Sequence, residues 1–179
     1  MCNRRVNERP YLCSMKYKTK INMKKLFLII IMMTVSMGIK AQQTISAQEM
    51  SDRIQIRALV DRYAVESDQF KQENYSEIFA KDLKLRIHMG DNVNEINGVD
   101  NMINIYKAAG AVDISFHQTG QQTLEFADAT HASGWVYLTA LMVNGGNARH
   151  MYLRYFDKYE KIDGRWWIVE RDQYILFSE

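Results

Sequence analysis

The sequence predicts an α+β domain, with helices on one face of a strongly bent antiparallel sheet. Three observations predict it. Apolar residues recur at helical spacing early in the domain, alternate at strand spacing after Ser115, and are separated later by compact turn signals. Helices come first, one strand pair lies between them, and a long meander follows. The single proline, Pro10, lies outside this region, so nothing in it blocks long paired strands.

The first helix opens at Ser46-Ala47-Gln48-Glu49, a capping-box pattern in which the Ser and Glu side chains satisfy free backbone N–H groups. Ile56, Leu59, Val60, Tyr63 and Ala64 then form one apolar stripe, with Asp52, Arg53, Arg57, Asp61 and Arg62 on the opposite face. The stripe fades at Glu66-Ser67-Asp68. A short second helix over Tyr75 to Ala80 packs Ile78 and Phe79. Leu83, Leu85, Ile87 and Met89 alternate with Lys84, Arg86 and His88 as a half-buried strand. A short strand follows near Val93–Ile96. Val99, Met102, Ile103 and Tyr106 mark a third helix, stopped at Gly110. The meander then runs through Ser115–Phe126, Thr130–Val143, Arg149–Lys161 and Arg165–Leu176. Its hairpins turn at Asn144-Gly145-Gly146-Asn147 and Asp163-Gly164.

Ahead of the domain, Met23-Lys24-Lys25 gives a basic start, Leu26 to Val35 carries no charge, and Ile39-Lys40-Ala41 ends on a small residue. A secretory signal peptide over 23–41 is expected, with the mature chain starting near Gln42 and residues 1–22 as an early-called start or extended basic region. The apolar run is shorter than the roughly 20 residues that cross a bilayer. Export to the periplasm or beyond, with no membrane anchor after cleavage, is therefore expected. Cys2 and Cys13 both precede the domain, which leaves it without a disulfide or thiolate site. Residues 42–179, about 138 in all, suit one domain with one core. They hold 14 Lys and Arg against 20 Asp and Glu, a net charge of −6 with no basic stripe, which argues against a nucleic-acid partner.

The helix ending Tyr63-Ala64-x-x-x-Asp68, His117 early in the third strand, Asp157, Asp163-Gly164-Arg165-Trp166 and Arg171 together resemble the SnoaL-like branch of the nuclear-transport-factor-2-like, ketosteroid-isomerase-like superfamily. The resemblance spans nearly all of residues 46–177. It implies a cone-like barrel, a strongly curved antiparallel sheet wrapped around three N-terminal helices, with an internal apolar pocket open at one end. It also implies frequent dimerisation through the sheet. Chemistry in the superfamily includes dehydration of cyclic alcohols, double-bond migration and ring closure, while other members only bind ligands. Fold alone does not choose among these.

Within that frame, Tyr63, Asp68 and His117 are the candidate catalytic residues. A carboxylate beside an imidazole fixes the ring tautomer and suits acid–base work near neutral pH. The Asp and His resemble a pair in the scytalone dehydratases, and the Tyr-to-Asp spacing resembles that of the bile acid dehydratases. Two departures stand out: Met142 takes the place of a second pocket histidine, and Ile87 falls where a second phenol is expected. Tyr63 and Asp68 lie about 140° apart on a regular helix, so both reach one pocket only if the helix ends or kinks between them. Each residue also has a plainer role open to it: a packed aromatic for Tyr63, a helix terminator for Asp68, a strand histidine for His117.

The resemblance implies that Met151, Leu153, Tyr155 and Asp157 face inward and line the pocket with Val136, Leu138, Ala140 and Met142. That makes Val136, Leu138, Ala140, Met142, Leu153 and Tyr155 the candidate binding residues for a small hydrophobic ligand. Asp157 and Arg171 are expected to pair across neighbouring strands. His88 is read as solvated, His131 as a strand start and His150 as a rim residue. No histidine pair has metal-ligand spacing, so neither metal nor cofactor is expected. Eight large aromatics on three strands exceed what one small core holds, which suggests a homodimer through the outer sheet face. Three functions remain open: a cofactor-free lyase or isomerase, a ligand-binding protein without turnover, and a dimeric interaction module.

Overall fold

In the computed structural model, residues 44–179 are described. The expected leader over 23–41 and the segment before it lie outside them. Helix α1 spans Ala47–Asp68, and Ser46 Oγ accepts the Glu49 backbone N–H at 3.0 Å, as half of the capping box requires. Its stripe is buried: Ile56, Val60 and Tyr63 are each at most 6% exposed. Burying one such side chain stabilises the fold by roughly 1.5–3 kcal/mol. Asp52 departs from expectation. It is buried rather than solvated, because Lys161 Nζ (2.6 Å) and Trp166 Nε1 (2.9 Å) donate to its Oδ1.

The expected second helix is a 3-10 turn over Gln72–Glu77, and Phe79, assigned to that helix, instead begins strand β1, Phe79–Met89. Tyr75 OH meets Ser67 Oγ at 2.8 Å and ties this turn to the end of α1. Strand β2 (Asn92–Asn97) pairs back on β1, and helix α2 runs Val99–Ala109 and stops at Gly110. Then come β3 (Ile114–Gln122), the two-residue β4 (Glu125–Phe126), β5 (His131–Asn144), β6 (Asn147–Ile162) and β7 (Arg165–Ser178).

The strand order is β2-β1-β7-β6-β5-β3, with β4 also on β5. Two expectations are corrected here. The sheet is mixed, because β7 returns beside β1 in parallel while every other pairing is antiparallel. It is also open, with β2 and β3 as edges, rather than closed into a barrel. The expected strand Ser115–Phe126 breaks after Gln122, where Thr123 crosses β5 at Gly134. A Cβ on Gly134 would meet the Thr123 carbonyl oxygen at 1.8 Å, so only glycine permits this approach. The β5–β6 turn places Gly145 and Gly146 at φ 57° and 79°, the left-handed values of a two-residue hairpin.

Alternation then sorts the aromatics. Tyr155, Tyr159 and Trp166 point into the core, while Tyr137, Tyr152 and Phe177 stay 42–56% exposed on the other face. His88 belongs to that outer face but is not free in solvent. Its ring stacks on Tyr174 at 4.3 Å, and its Nε2 lies 2.8 Å from Asp172.

Candidate active site

Asp68 is the last residue of α1, and β3 passes directly beside it. The reach across is set by a polar seam about two and three turns earlier. Arg57 Nη1 donates to the Gly120 carbonyl at 2.8 Å, and Thr119 Oγ1 donates to Asp61 at 2.7 Å. With α1 clamped to the sheet edge, Asp68 meets three donors. His117 Nδ1 lies 2.6 Å from Oδ1, the His117 backbone N–H donates to Oδ2 at 2.9 Å, and Ser115 Oγ donates to Oδ1 at 3.1 Å. A carboxylate can only accept, so a neutral ring carries its proton on Nδ1 and leaves the Nε2 lone pair free. Nε2 has no hydrogen-bond partner among the described residues.

The imidazole is 8% exposed and lines a cavity of about 330 Å³. Strand register lays out its sheet wall. Ser115, Met142 and Arg149 form one row across β3, β5 and β6, and His117, Ala140 and Met151 form the next. Leu153, Tyr155 and Gln173 continue the wall inward, while Tyr63, Ser67, Phe70, Tyr75 and Tyr106 close it from the helix side. Phe70 reaches this position because its backbone is left-handed (φ 56°), which swings the chain off the end of α1.

The structure therefore brings Tyr63, His117, Ala140, Met142, Leu153 and Tyr155 to one cavity, with Asp68 behind His117. Val136 and Leu138 do not line it; they are 0% and 3% exposed. Helix α1 runs without interruption past Tyr63, so no kink brings Asp68 into the cavity. Asp68 does not line the cavity but bonds two residues that do, His117 and Ser115, while Tyr63 faces it directly. Its ring centroid is 6.4 Å from that of His117. Ser115, Tyr75, Tyr106, Arg149 and Gln173 were not singled out from the sequence. Ser115 was readable, since it sits two residues before His117 on the same strand face.

Below the cavity, Arg171 and Asp157 form the expected cross-strand pair. Arg171 Nε and Nη2 donate to the two carboxylate oxygens at 2.7 and 2.8 Å, with both side chains 0% exposed. Burial alone would weaken the guanidinium's hold on its proton, but the Asp157 charge outweighs it and raises the Arg171 pKa. The guanidinium also lies 4.1 Å from the Tyr155 ring centroid and 4.6 Å from that of Tyr63. Burial pushes the Tyr155 and Tyr106 hydroxyls well above their ordinary pKa, so both remain protonated donors.

A larger hollow of about 640 Å³, floored by Phe79, Ala80 and Val99, lies beside the β6–β7 turn. Its lining holds the carboxylates Asp82, Asp100 and Asp163 and no histidine. No group of three or more His, Cys, Asp or Glu among the described residues could hold a metal ion.

An α+β domain whose helices cover one face of a six-strand path, with a cavity between them, has the architecture of the nuclear-transport-factor-2-like superfamily. The SnoaL-like domain family matches residues 48–172, and the chain belongs to that family. Among solved structures, it is similar to a putative scytalone dehydratase from Novosphingobium aromaticivorans (TM-score 0.67, 16% identity, 74% of this chain and 89% of that one). It is also similar to the hexachlorocyclohexane dehydrochlorinase LinA-type3 from Novosphingobium barchaimii (0.63, 17%, 74% and 91%). A third likeness is to a putative aromatic ring hydroxylase from Novosphingobium aromaticivorans (0.64, 18%, 72% and 91%). At these identities the likeness is one of fold. No curated protein sequence matches the chain.

Proposed function

We propose that the protein is a cofactor-free lyase or isomerase acting on a small cyclic hydrophobic substrate, with dehydratase-type acid–base chemistry. One observation carries the reading: the Asp68–His117 contact at 2.6 Å, with the imidazole facing a cavity. In this reading Nε2 takes a proton from the carbon beside a substrate carbonyl, and Asp68 stabilises the imidazolium that forms. Tyr63 donates to the carbonyl oxygen. The electron pair forms the new double bond, and the β-hydroxyl leaves with the proton returned by the imidazolium, releasing water. One imidazole serves both steps when hydrogen and hydroxyl leave from the same ring face. The reaction is redox-neutral and needs no electron carrier. Neighbours named as a dehydratase and a dehydrochlorinase, both names of elimination chemistry, support the class.

The proposal also takes the curved sheet as a cone around the helices, residues 23–41 as a cleaved export leader, and the exposed aromatics Tyr137, Tyr152 and Phe177 as the contact of a homodimer. A dimer mass by light scattering at micromolar concentration is expected, and a monomer would remove that part.

The chemistry is tested with 3-hydroxycyclohexanone, whose dehydration to 2-cyclohexenone is followed by enone absorbance. Native protein accelerates it, while His117→Gln and Asp68→Asn each lose the acceleration. Equal rates in native protein and His117→Gln would end this reading.

A further inference from the structure

Three buried side-chain atoms among the described residues lack a hydrogen-bond partner: Arg154 Nε, Arg171 Nη1 and Gln173 Oε1. Buried polar atoms are almost always paired, so each calls for a reason. Two have one. The Arg154 guanidinium lies 4.7 Å from the Trp135 ring centroid, and that of Arg171 lies over Tyr155 and Tyr63. The electron-rich ring face receives a cation and its N–H groups. An amide oxygen gains nothing from such a face, because both are electron-rich. Gln173 is the exception left over, and it lines the cavity.

From this we infer that Gln173 is a specificity-determining residue: its amide accepts a hydrogen bond from a hydroxyl of the cavity's occupant. The inference rests on the proposed small cyclic substrate and adds a second polar handle to it, apart from the reacting centre. Gln173 shares its cross-strand row with Tyr155, and His117 sits two rows nearer the β5–β6 hairpin, level with Ala140 and Met151. A ring spanning these rows puts one end at the imidazole and its hydroxyl at the amide. The neighbouring groups on the inner face of β7 are Arg171, held by Asp157, and Ile175, so no other carboxylate competes for the hydroxyl. The Gln173 oxygen is closed to solvent in the free protein, so binding turns the amide about its last bond, which exchanges oxygen and nitrogen and brings the acceptor to the ligand.

The test compares 2-naphthol with 2-fluoronaphthalene, which has nearly the same shape and no donor. Affinities are measured by fluorescence titration on the native protein and on Gln173→Leu. The native protein is expected to prefer the naphthol by about fivefold, the worth of one net hydrogen bond. Gln173→Leu is expected to lose that preference while binding the fluoro compound at least as well. Its melting temperature should hold or rise, since an unpaired acceptor has been removed. An equal affinity in the native protein, as when a water serves the amide, overturns the inference. So does a preference kept in Gln173→Leu, or no binding of either probe. None of these readouts involves turnover, so failure here leaves the Asp68–His117 chemistry standing, and failure of that chemistry leaves this result intact.

Discussion

Two of the acid–base pairs that bridge elements of this fold differ in what they leave free. Asp157 and Arg171 are both 0% exposed, and the carboxylate receives two guanidinium bonds while three aromatic rings surround the cation. Asp68 and His117 are 24% and 8% exposed. There the carboxylate is saturated by three donors while the imidazole keeps one nitrogen open to a cavity. Distance does not separate the pairs, since both close within 2.6–2.8 Å. A pair whose carboxylate and cation are both enclosed holds strands together. A pair with one saturated member and one open member can move a proton.

The sharpest way to break this comparison is to remove one partner of the enclosed pair. Arg171→Met should cost about 3–5 kcal/mol of stability, because it strands the Asp157 carboxylate in the core. Chemical denaturation measures it. A loss under about 1 kcal/mol would mean that the pair is not what holds β6 to β7.

Asp52 is the intermediate case, 5% exposed and paired with a Lys161 side chain that is 16% exposed. Burial alone would raise its pKa, but the bonds from Lys161, Trp166 and Gln48 outweigh burial and lower it. A lowered carboxyl pKa stabilises the fold above the ordinary carboxylate range, and that contribution is lost as pH falls through the folded value. Asp52→Asn should therefore cost about 2 kcal/mol at neutral pH. The gap to native protein should narrow as pH falls below about 4. A gap independent of pH would show that shape rather than charge matters there.

The smallest stability effect is expected at the open pair. Asp68→Asn should change unfolding free energy by about 1 kcal/mol or less, because the amide oxygen still accepts from the His117 backbone N–H while its NH₂, in place of Oδ1, can donate to the Ser115 hydroxyl. Dehydration of the probe ketone should nevertheless be lost. Equal losses of stability at Asp68→Asn and Arg171→Met would erase the distinction between the pairs.

Much of this was legible in the sequence because it is local. The α1 stripe, the Gly110 stop and the Gly145-Gly146 turn follow from period and turn chemistry alone, while the inward Tyr155 is what the family resemblance implies. What escaped is non-local. The parallel pairing of β1 with β7 joins Leu85 to Arg171 across most of the domain and leaves no mark in either strand. Asp52 reads as a solvated helix residue until the β6–β7 hairpin brings Lys161 and Trp166 over it. Gln173 was hidden because β7 reverses the usual pattern there, with polar Arg171 and Gln173 facing in and Tyr174 facing out. The Asp68–His117 pairing came from family resemblance rather than from spacing, and Ser115 completes it through β3 geometry.

The open nitrogen of His117 can be observed directly. Nitrogen-15 NMR of the neutral imidazole distinguishes a ring protonated at Nδ1 from one protonated at Nε2. Native protein should show His117 as the Nδ1–H tautomer with an unprotonated Nε2. Asp68→Asn, whose amide can turn its NH₂ towards the ring, should shift the population to Nε2–H. A native ring already protonated at Nε2, or a tautomer unchanged by Asp68→Asn, would contradict the assignment of this pair as the proton-transfer element.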